Sequence, residues 1–172
     1  MMGERVEIPQ SFSDLRITMG EDYYETKLAD ISKEGCCKYQ LIKNGTVITK
    51  VDTYFTSYDP NLGFWNMGGK FVWELGGDTS VIIVDGINYN EKYQLQGSYQ
   101  PSAINGKLIY IAKQNDKLHL VYDNQMFGPE FDDISMPNCC GMIHLFSGGG
   151  QYWFVGTRAG TKYLVSIQGN NR

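Results

Sequence analysis

A unit made of a proline, a turn ending in glycine and three short strands rich in aromatic residues recurs four times along the chain. The copies align on Gly20, Gly69, Gly106 and Gly150, so the steps between them are 49, 37 and 44 residues. A period of roughly 40 to 50 residues is typical of β-propellers, in which each repeat forms one small antiparallel sheet called a blade. The sequence therefore predicts an all-β protein built from four such sheets.

Turn residues set the strand limits within each repeat. Asn44-Gly45 and Asp85-Gly86 each lie between two apolar runs, and such dipeptides favour tight hairpins because both turn residues need a positive φ. The outer strands are then predicted over residues 88–95 in the second repeat and 126–134 in the third. A helix over residues 22–33 is an alternative in the first repeat, but alignment with the other copies favours a strand there.

The two ends of the chain look like parts of one blade. The fourth repeat stops after Ile167 without an outer strand, whereas residues 5–8 precede Pro9 in the way that residues 133–136 precede Pro137. A strand exchanged between the ends would close the ring and remove an exposed sheet edge. We expect a single domain over residues 1–172, a four-bladed propeller closed by its N-terminal strand. The expected blades are residues 9–58, 59–99, 100–136 and 137–172, the last completed by residues 3–8.

Composition excludes several classes of function. The 172 residues are 42% hydrophobic and 20% charged, and the net charge of −4 is not arranged in blocks. A chain of this kind folds as a globule with a real core, and without a basic cluster nucleic acid is not an expected partner. No apolar stretch approaches the roughly 20 residues that span a bilayer, so no membrane contact is expected. The polar N-terminus favours a cytoplasmic protein, or a secreted or periplasmic one if a leader has been removed.

Residues suited to catalysis or metal binding are sparse. The cysteines form two vicinal pairs, Cys36-Cys37 and Cys139-Cys140, and the only histidines are His119 and His144. Neither the zinc-site spacings nor a nucleophile motif is present. The cysteines are expected to be small hydrophobes, with disulfides between the pairs or adventitious metal as alternatives. The residues thus indicate no cofactor and do not favour enzyme activity.

The third repeat resembles a known family of blades. Residues 101–112, with the sequence PSAINGKLIYIA, are similar to the WD-like propeller repeat of the TolB class, which has a proline, an Asn-Gly-Lys turn and an alternating apolar and aromatic strand. The resemblance recurs over nearly the whole chain, and it implies four-stranded blades around a central channel and a role in binding proteins or ligands. Members of that class commonly have more blades than this chain has repeats. Completion of a larger ring, or of a ring shared by several copies as a homo-oligomer, is therefore an alternative.

Candidate binding residues lie on the strands predicted to line the channel and on the loops between blades. The channel strands are expected at residues 11–19, 62–67, 102–105 and 141–146. The large or polar side chains on or beside these strands are Arg16, Trp65, Asn66 and His144. Tyr58 and Tyr99 lie near the loops that link blades, where an aromatic ring could stack on a sugar. For the channel residues the alternative is that they plug the channel or pack on the sheet.

Two further groups recur for reasons of structure. Trp73, Tyr110 and Phe154, with Tyr24 in the first copy, occupy equivalent positions and are expected to pack between blades. Aspartates recur in turns, which their side chains stabilise locally. The cluster over residues 130–133 comes nearest to the convergent oxygens of a calcium site.

Taken together, these features predict a non-catalytic binding or interaction module. Its ligand is expected to be a protein, a small molecule or a glycan, held at one face of the propeller or at the mouth of the channel. The alternative is a small-ligand carrier or enzyme built on a single closed β-barrel. The two architectures differ in their ladders, because a barrel joins successive repeats by hydrogen bonds and a propeller pairs strands only within each blade.

Overall fold

The protein consists of four antiparallel sheets and one short helix in the computed structural model, which describes residues 15–31, 36–54, 61–76, 79–135 and 151–169. Sheet 1 contains β1 (Arg16–Met19), β2 (Asp22–Ile31), β3 (Cys36–Lys43) and β4 (Thr46–Tyr54). Sheet 2 contains β5 (Asn61–Met67), β6 (Lys70–Leu75), β7 (Val81–Val84) and β8 (Ile87–Asn88), followed by helix α1 (Tyr89–Tyr93). Sheet 3 contains β9 (Gly97–Ile104), β10 (Lys107–Gln114), β11 (Lys117–Tyr122) and β12 (Gln125–Phe131). Sheet 4 contains β13 (Asp133–Ser135), β14 (Gln151–Arg158) and β15 (Thr161–Gln168), so the predicted all-β class is confirmed.

Each sheet is a meander whose strands pair in chain order. The strand orders are β1-β2-β3-β4, β5-β6-β7-β8, β9-β10-β11-β12 and β13-β14-β15. Within the described ranges, no ladder joins one sheet to another. The strands therefore do not close into a single barrel, and the ladders follow the pattern expected of separate blades.

The sheets stack face to face in the order of the chain. Sheets 1 and 2 share a buried cluster that includes Tyr24 and Trp73. The opposite face of sheet 2 packs on sheet 3 around Tyr110, and the opposite face of sheet 3 packs on sheet 4 around Ile109 and Phe154. Burial of large aromatic and branched side chains is the main favourable term for such faces. The prediction that the four repeated aromatic residues are core residues is confirmed, since all of them are at most 5% exposed.

Hydrogen bonds between turns and strands give a repeat register that differs from the sequence alignment by one residue in sheet 1. The N–H groups of Asn44, Asp85 and Asp123 donate to the carbonyl oxygens of Tyr23, Phe71 and Leu108, at 2.8 to 2.9 Å.

This register makes Glu25, not Tyr24, the equivalent of Trp73 and Tyr110. The alignment slips because Gly20 is the first residue of its turn, whereas Gly69 and Gly106 are second residues.

Helix α1 replaces most of the strand predicted over residues 88–95. The side chain of Asn88 caps the helix by accepting hydrogen bonds from the N–H groups of Asn90 and Glu91, at 3.0 and 3.4 Å. Its amide nitrogen in turn donates to the Glu91 carboxylate at 3.0 Å. An Asn-x-x-Glu sequence of this kind satisfies the free donors of a first helical turn, and it could have been found in the sequence.

Two predicted boundaries also differ from the strands observed. β9 begins at Gly97, so the limit placed between residues 99 and 100 falls inside this strand. The outer strand expected over residues 126–134 ends at Phe131, and residues 133–135 form β13, which pairs with β14 in sheet 4. In contrast, the strand favoured over a helix in the first repeat is present as β2.

Candidate ligand-binding cleft

A cleft of about 260 Å³, called the Tyr99 cleft below, lies between sheets 3 and 4. It is at the end of the sheets where the chain passes from β12 to β13. Its floor is apolar and its rim is charged. The floor is formed by Tyr99, Ile111, Leu118 and Ile134, and the rim by Lys113, Asp116, Asp132 and Asp133. Because residues from two sheets and from the link between them meet here, the stacking of the sheets itself creates the cleft.

Tyr99 places a partly exposed aromatic ring in this cleft. It lies on β9 opposite Ile111, and its ring folds back over the backbone of Gly97. A Cβ atom at position 97 would come within 2.7 Å of Tyr99 Cζ, so a side chain there would displace the ring. Burial of this ring raises the pKa of the Tyr99 hydroxyl. Gly97 is therefore the residue that allows Tyr99 to lie along the floor of the cleft.

The backbone next to Tyr99 is held from both neighbouring sheets. Gln100 has a φ of 53°, a backbone conformation that residues other than glycine rarely adopt. The pairing of β9 with β10 is irregular at this point. The Gln100 N–H donates to Oε1 of Glu74 in sheet 2 at 2.8 Å. Its carbonyl oxygen accepts a longer bond of 3.4 Å from the Tyr152 hydroxyl in sheet 4. The bulge after Tyr99 is thus a point of contact among three sheets.

Glu74 is the buried ionisable group of this junction, and the sequence reasoning missed it. Its side chain is 5% exposed, and burial raises the pKa of Glu74 to about 7, opposed by the hydrogen bond from Gln100. A carboxyl group with a pKa near neutrality changes charge under physiological conditions. The sequence does contain a sign of this buried group, because Glu74 is the one charged residue among the otherwise apolar residues 71–75 of β6.

Two carboxylates at the rim, those of Asp116 and Asp132, already bond other protein groups. Asp116 accepts from the Gln96 side chain at 3.1 Å and lies 3.7 Å from the Lys113 ammonium group. Asp132 bonds Lys117 and accepts from the Ala159 N–H at 2.7 Å, and the bond from Lys117 is the main reason that the pKa of Asp132 is lowered. The carboxylates keep further lone pairs that can accept hydrogen bonds from a ligand.

Metal binding is not indicated in the part of the chain that the structure describes, because no three His, Cys, Asp or Glu side chains converge there.

Comparison with known proteins gives no family for this chain. The sequence matches no protein-family model and no curated protein, and no solved structure matches it. No helix in the described ranges is long and apolar enough to cross a membrane. The function must therefore be argued from the geometry of the cleft.

Three other predicted binding residues that the structure describes, Arg16, Trp65 and Asn66, do not line the Tyr99 cleft. Arg16 lies on the outer face of sheet 1, where its side chain is 3.8 Å from Glu25. Trp65 on β5 folds over Gly63, where an added Cβ would lie 3.1 Å from the Trp65 ring. Asn66 accepts a hydrogen bond of 3.1 Å from the Gly69 N–H and so stabilises the turn between β5 and β6.

Two predicted binding residues, Tyr58 and His144, lie outside the described residues, as does the channel strand predicted over residues 141–146. Of the four candidates that the structure describes, Tyr99 lines the cleft between sheets 3 and 4.

A larger cleft of about 480 Å³ lies between sheet 1 and helix α1. It is lined by amide side chains and by charged side chains of both signs, including Lys38, Lys50, Asp52 and Glu91. The single aromatic residue in its lining, Tyr39, is 2% exposed and so offers no ring face to a ligand. The Tyr99 cleft therefore has the better combination of an accessible ring and convergent polar groups.

Proposed function

We propose that this protein is a non-catalytic binding module and that it holds a small polyhydroxylated ligand, such as one ring of a glycan, in the Tyr99 cleft. The observation that carries the proposal is the position of Tyr99, whose ring is partly exposed beside several carboxylates at a junction of sheets. Loops and clefts held by rigid sheets are common places for recognition. The four sheets are, in this proposal, the blades of a propeller that presents the cleft on one face.

The chemistry of the cleft suits a sugar. An aromatic ring offers an apolar face on which the C–H groups of a sugar can pack, and carboxylate oxygens accept hydrogen bonds from its hydroxyl groups. The volume of about 260 Å³ is near the lower limit of roughly 300 Å³ for small-molecule pockets. We therefore expect a ligand of one sugar unit, bound at the end or side of a longer chain.

The groups that line the cleft favour binding of a ligand without a chemical reaction. The described residues that line the cleft include no Ser, Cys or His, which are the usual nucleophiles and bases of acyl transfer. Hydrolysis of a glycosidic bond needs a carboxyl group with a raised pKa as the acid. At the rim, the pKa of Asp132 is shifted in the opposite direction, because Lys117 bonds its carboxylate.

A glycan array with the full chain and two tyrosine variants tests the ligand and its site. We expect the wild-type protein to retain a defined set of glycans and Tyr99→Ala to weaken that binding by about tenfold or more, a loss of about 1.4 kcal/mol. Tyr163→Ala is the matched control, because Tyr163 is 48% exposed on β15 and does not line the cleft. Equal binding by Tyr99→Ala and wild type would show that the cleft is not the site. An array without any retained glycan, together with capture of a protein from the native host, would favour a protein ligand.

Closure of the ring by residues 3–8 is the second part of the proposal. Sheet 4 has three strands where the others have four, and β15 pairs only with β14 among the described strands. Among the described strands, β15 is the outer strand of a three-stranded sheet, and its eight residues offer an edge at which a further strand can pair. A strand from the other end of the chain would supply the missing partner and join the last blade to the first.

Deletion of residues 1–8 tests the closure. We expect a lower melting temperature and lower solubility, because the edge of β15 becomes available for pairing between molecules. Deletion of residues 170–172 is the control, since it shortens the chain without removing the proposed strand. An unchanged melting temperature and solubility after the first deletion would rule out the strand exchange. A wild-type dimer in light scattering would instead support a ring shared between copies.

A further inference from the structure

We propose that Glu74 positions Tyr99 through the backbone of Gln100, and that gain or loss of the Glu74 proton couples ligand binding in the Tyr99 cleft to pH. Glu74 does not line the cleft, so it acts as a positioning residue. The part about ligand binding rests on the proposed function, whereas the effect on Tyr99 can be measured without a ligand.

The first step is the peptide bond that joins the two residues. The nitrogen that donates to Glu74 belongs to the peptide unit between Tyr99 and Gln100. Since a peptide unit is planar, a hydrogen bond of 2.8 Å to this nitrogen fixes the plane that begins at the Cα atom of Tyr99. The direction in which the Tyr99 side chain leaves the strand depends on that plane. Glu74 therefore acts one residue away from the ring that the ligand would contact.

The second step is the strained conformation of Gln100. A residue other than glycine with a φ of 53° needs its surroundings to hold it. The pairing of β9 with β10 jumps here, because Ile109 pairs with Ser102 while Ile111 pairs with Tyr99. Two residues of β9 consequently face one residue of β10, as in a β-bulge, and bulges redirect the side chains beside them. The hydrogen bond from the Gln100 N–H to Glu74 is one of the contacts that hold this bulge.

The third step concerns the groups that face Glu74. On β5 and β7 its paired neighbours are Gly63 and Ile82, which carry no charge. On β9 it meets the Gln100 backbone, and on β14 the nearest ionisable group is Tyr152. Burial, followed by the charge of Glu74, raises the pKa of Tyr152 well above its usual value, so this tyrosine stays neutral.

No lysine, arginine or histidine of the described residues forms a salt bridge with Glu74. The charge state of Glu74 is therefore governed by its burial.

The direction of the effect follows from the cost of a buried charge. The neutral carboxyl group is compatible with the buried junction between sheets 2 and 3. The hydrogen bond from Gln100 favours the ionised group, but burial outweighs it, and no cation of the described residues pairs with the charge. Entry of water between the sheets is the relaxation open to the ionised group. We expect this to loosen the bulge and the ring of Tyr99, so that ligand binding is tighter at pH 6 than at pH 8. A factor of about ten is within the usual range of coupling between two sites.

Fluorine NMR on the full chain without ligand tests the positioning directly. A 4-fluorophenylalanine at position 99 has no titrating hydroxyl, so a change of its resonance with pH reports its surroundings. We expect one transition near pH 7 in the wild-type background and a flat profile in Glu74→Gln. The same label at position 163, on β15, is the control and should show no such transition. A flat profile for position 99 in the wild type, or an equal transition in Glu74→Gln, would overturn the proposal.

A second measurement keeps the test valid if Glu74→Gln does not fold. Glutamate labelled with ¹³C at the side-chain carboxyl group gives the titration of Glu74 in the wild-type protein. The midpoint of this curve and that of the fluorine signal at position 99 should coincide. Two separate midpoints would contradict the coupling even without the variant.

The outcomes separate the positioning role from the binding function. If the array shows glycan binding that Tyr99→Ala removes, while the fluorine signal does not titrate, the function stands and the role of Glu74 is wrong. If the signal titrates as expected and the array retains nothing, Glu74 positions Tyr99 and the proposed ligand class is wrong.

Discussion

The two junctions on either side of sheet 2 are held together in different ways. Between sheets 1 and 2 the contact is aromatic, with the rings of Tyr24 and Phe71 stacked at 4.2 Å and nearly parallel. Tyr39 meets Trp73 edge to face at 6.2 Å. Such contacts bury large areas, and the hydrophobic part of their energy does not depend on direction. The buried residues of this junction's cluster include no carboxyl group.

The junction between sheets 2 and 3 contains buried polar groups in addition to its apolar cluster. Ser98 accepts from the Ile82 N–H at 2.8 Å and donates to the Asn90 side chain at 2.6 Å. Glu74 bonds the Gln100 backbone at 2.8 Å in the same region. Buried polar groups must be satisfied in a defined geometry, so they specify how two sheets sit on each other. The aromatic junction therefore stabilises the fold by burial. The polar junction fixes how sheets 2 and 3 lie on each other and makes their contact sensitive to pH.

Trp73→Ala should have the largest effect, because it removes the largest fully buried side chain of the first junction. Trp73 is 0% exposed, and truncation of a buried Trp or Phe costs about 3 to 5 kcal/mol of unfolding free energy. Urea unfolding at constant pH measures this loss. Tyr163→Ala, on the exposed outer strand of sheet 4, should change stability by less than about 0.5 kcal/mol. A loss below about 1 kcal/mol for Trp73→Ala would mean that the stacked sheets do not depend on this junction.

The second prediction is that the stability of the protein falls as pH rises from about 4.5 to about 7. The pKa of Glu74 is raised from 4.5 to about 7 in the folded state, so the folded protein holds this proton more tightly than the unfolded chain. By linkage, the contribution is complete below the unfolded value and is lost as pH rises through the folded value. The shift corresponds to about 3 kcal/mol at most.

Urea unfolding between pH 5 and pH 8 checks this prediction, with Glu74→Gln as the matched variant. The variant should remove most of the slope. Aspartates with lowered pKa values, such as Asp22 and Asp123, lose their contributions only at more acidic pH. If the slope of unfolding free energy against pH persists in Glu74→Gln, other groups cause it. The two junctions would then not differ in their response to pH.

Local features of the fold were predictable from the sequence because their causes are local. The hairpin turns at Asn44-Gly45 and Asp85-Gly86 have positive φ at both residues, as those residue types indicate. The stacking order followed from the repeat.

The predicted equivalence of Tyr24 and Trp73 was wrong because it relied on Gly20, which occupies a different position in its turn. A shift of one residue exchanges the two faces of a strand, so Glu25 rather than Tyr24 corresponds to Trp73.

The candidate site was predictable only in part. Tyr99 could be named because an aromatic residue near a link between blades is a common binding group. The role of Glu74 could not, since its partner Gln100 lies 26 residues further along the chain and Tyr152 lies another 52 beyond. Contacts of this kind exist only after three sheets have stacked. The unusual conformation of Gln100 arises from that stacking and has no signature in its own sequence.

The smallest expected effect comes from helix α1, which packs at the junction between sheets 2 and 3. Asn88→Ala removes the cap of helix α1, whose Tyr89 is 3% exposed and packs with Tyr110 in the cluster between sheets 2 and 3. Loss of such a cap costs about 1 kcal/mol, and Asn88→Ser should recover most of it by keeping an acceptor. Hydrogen exchange should show faster opening at Asn90 and Glu91, while Tyr24 and Phe71 stay protected. Equal loss of protection at both junctions would mean that they open as one unit and that the difference in their chemistry has no mechanical consequence.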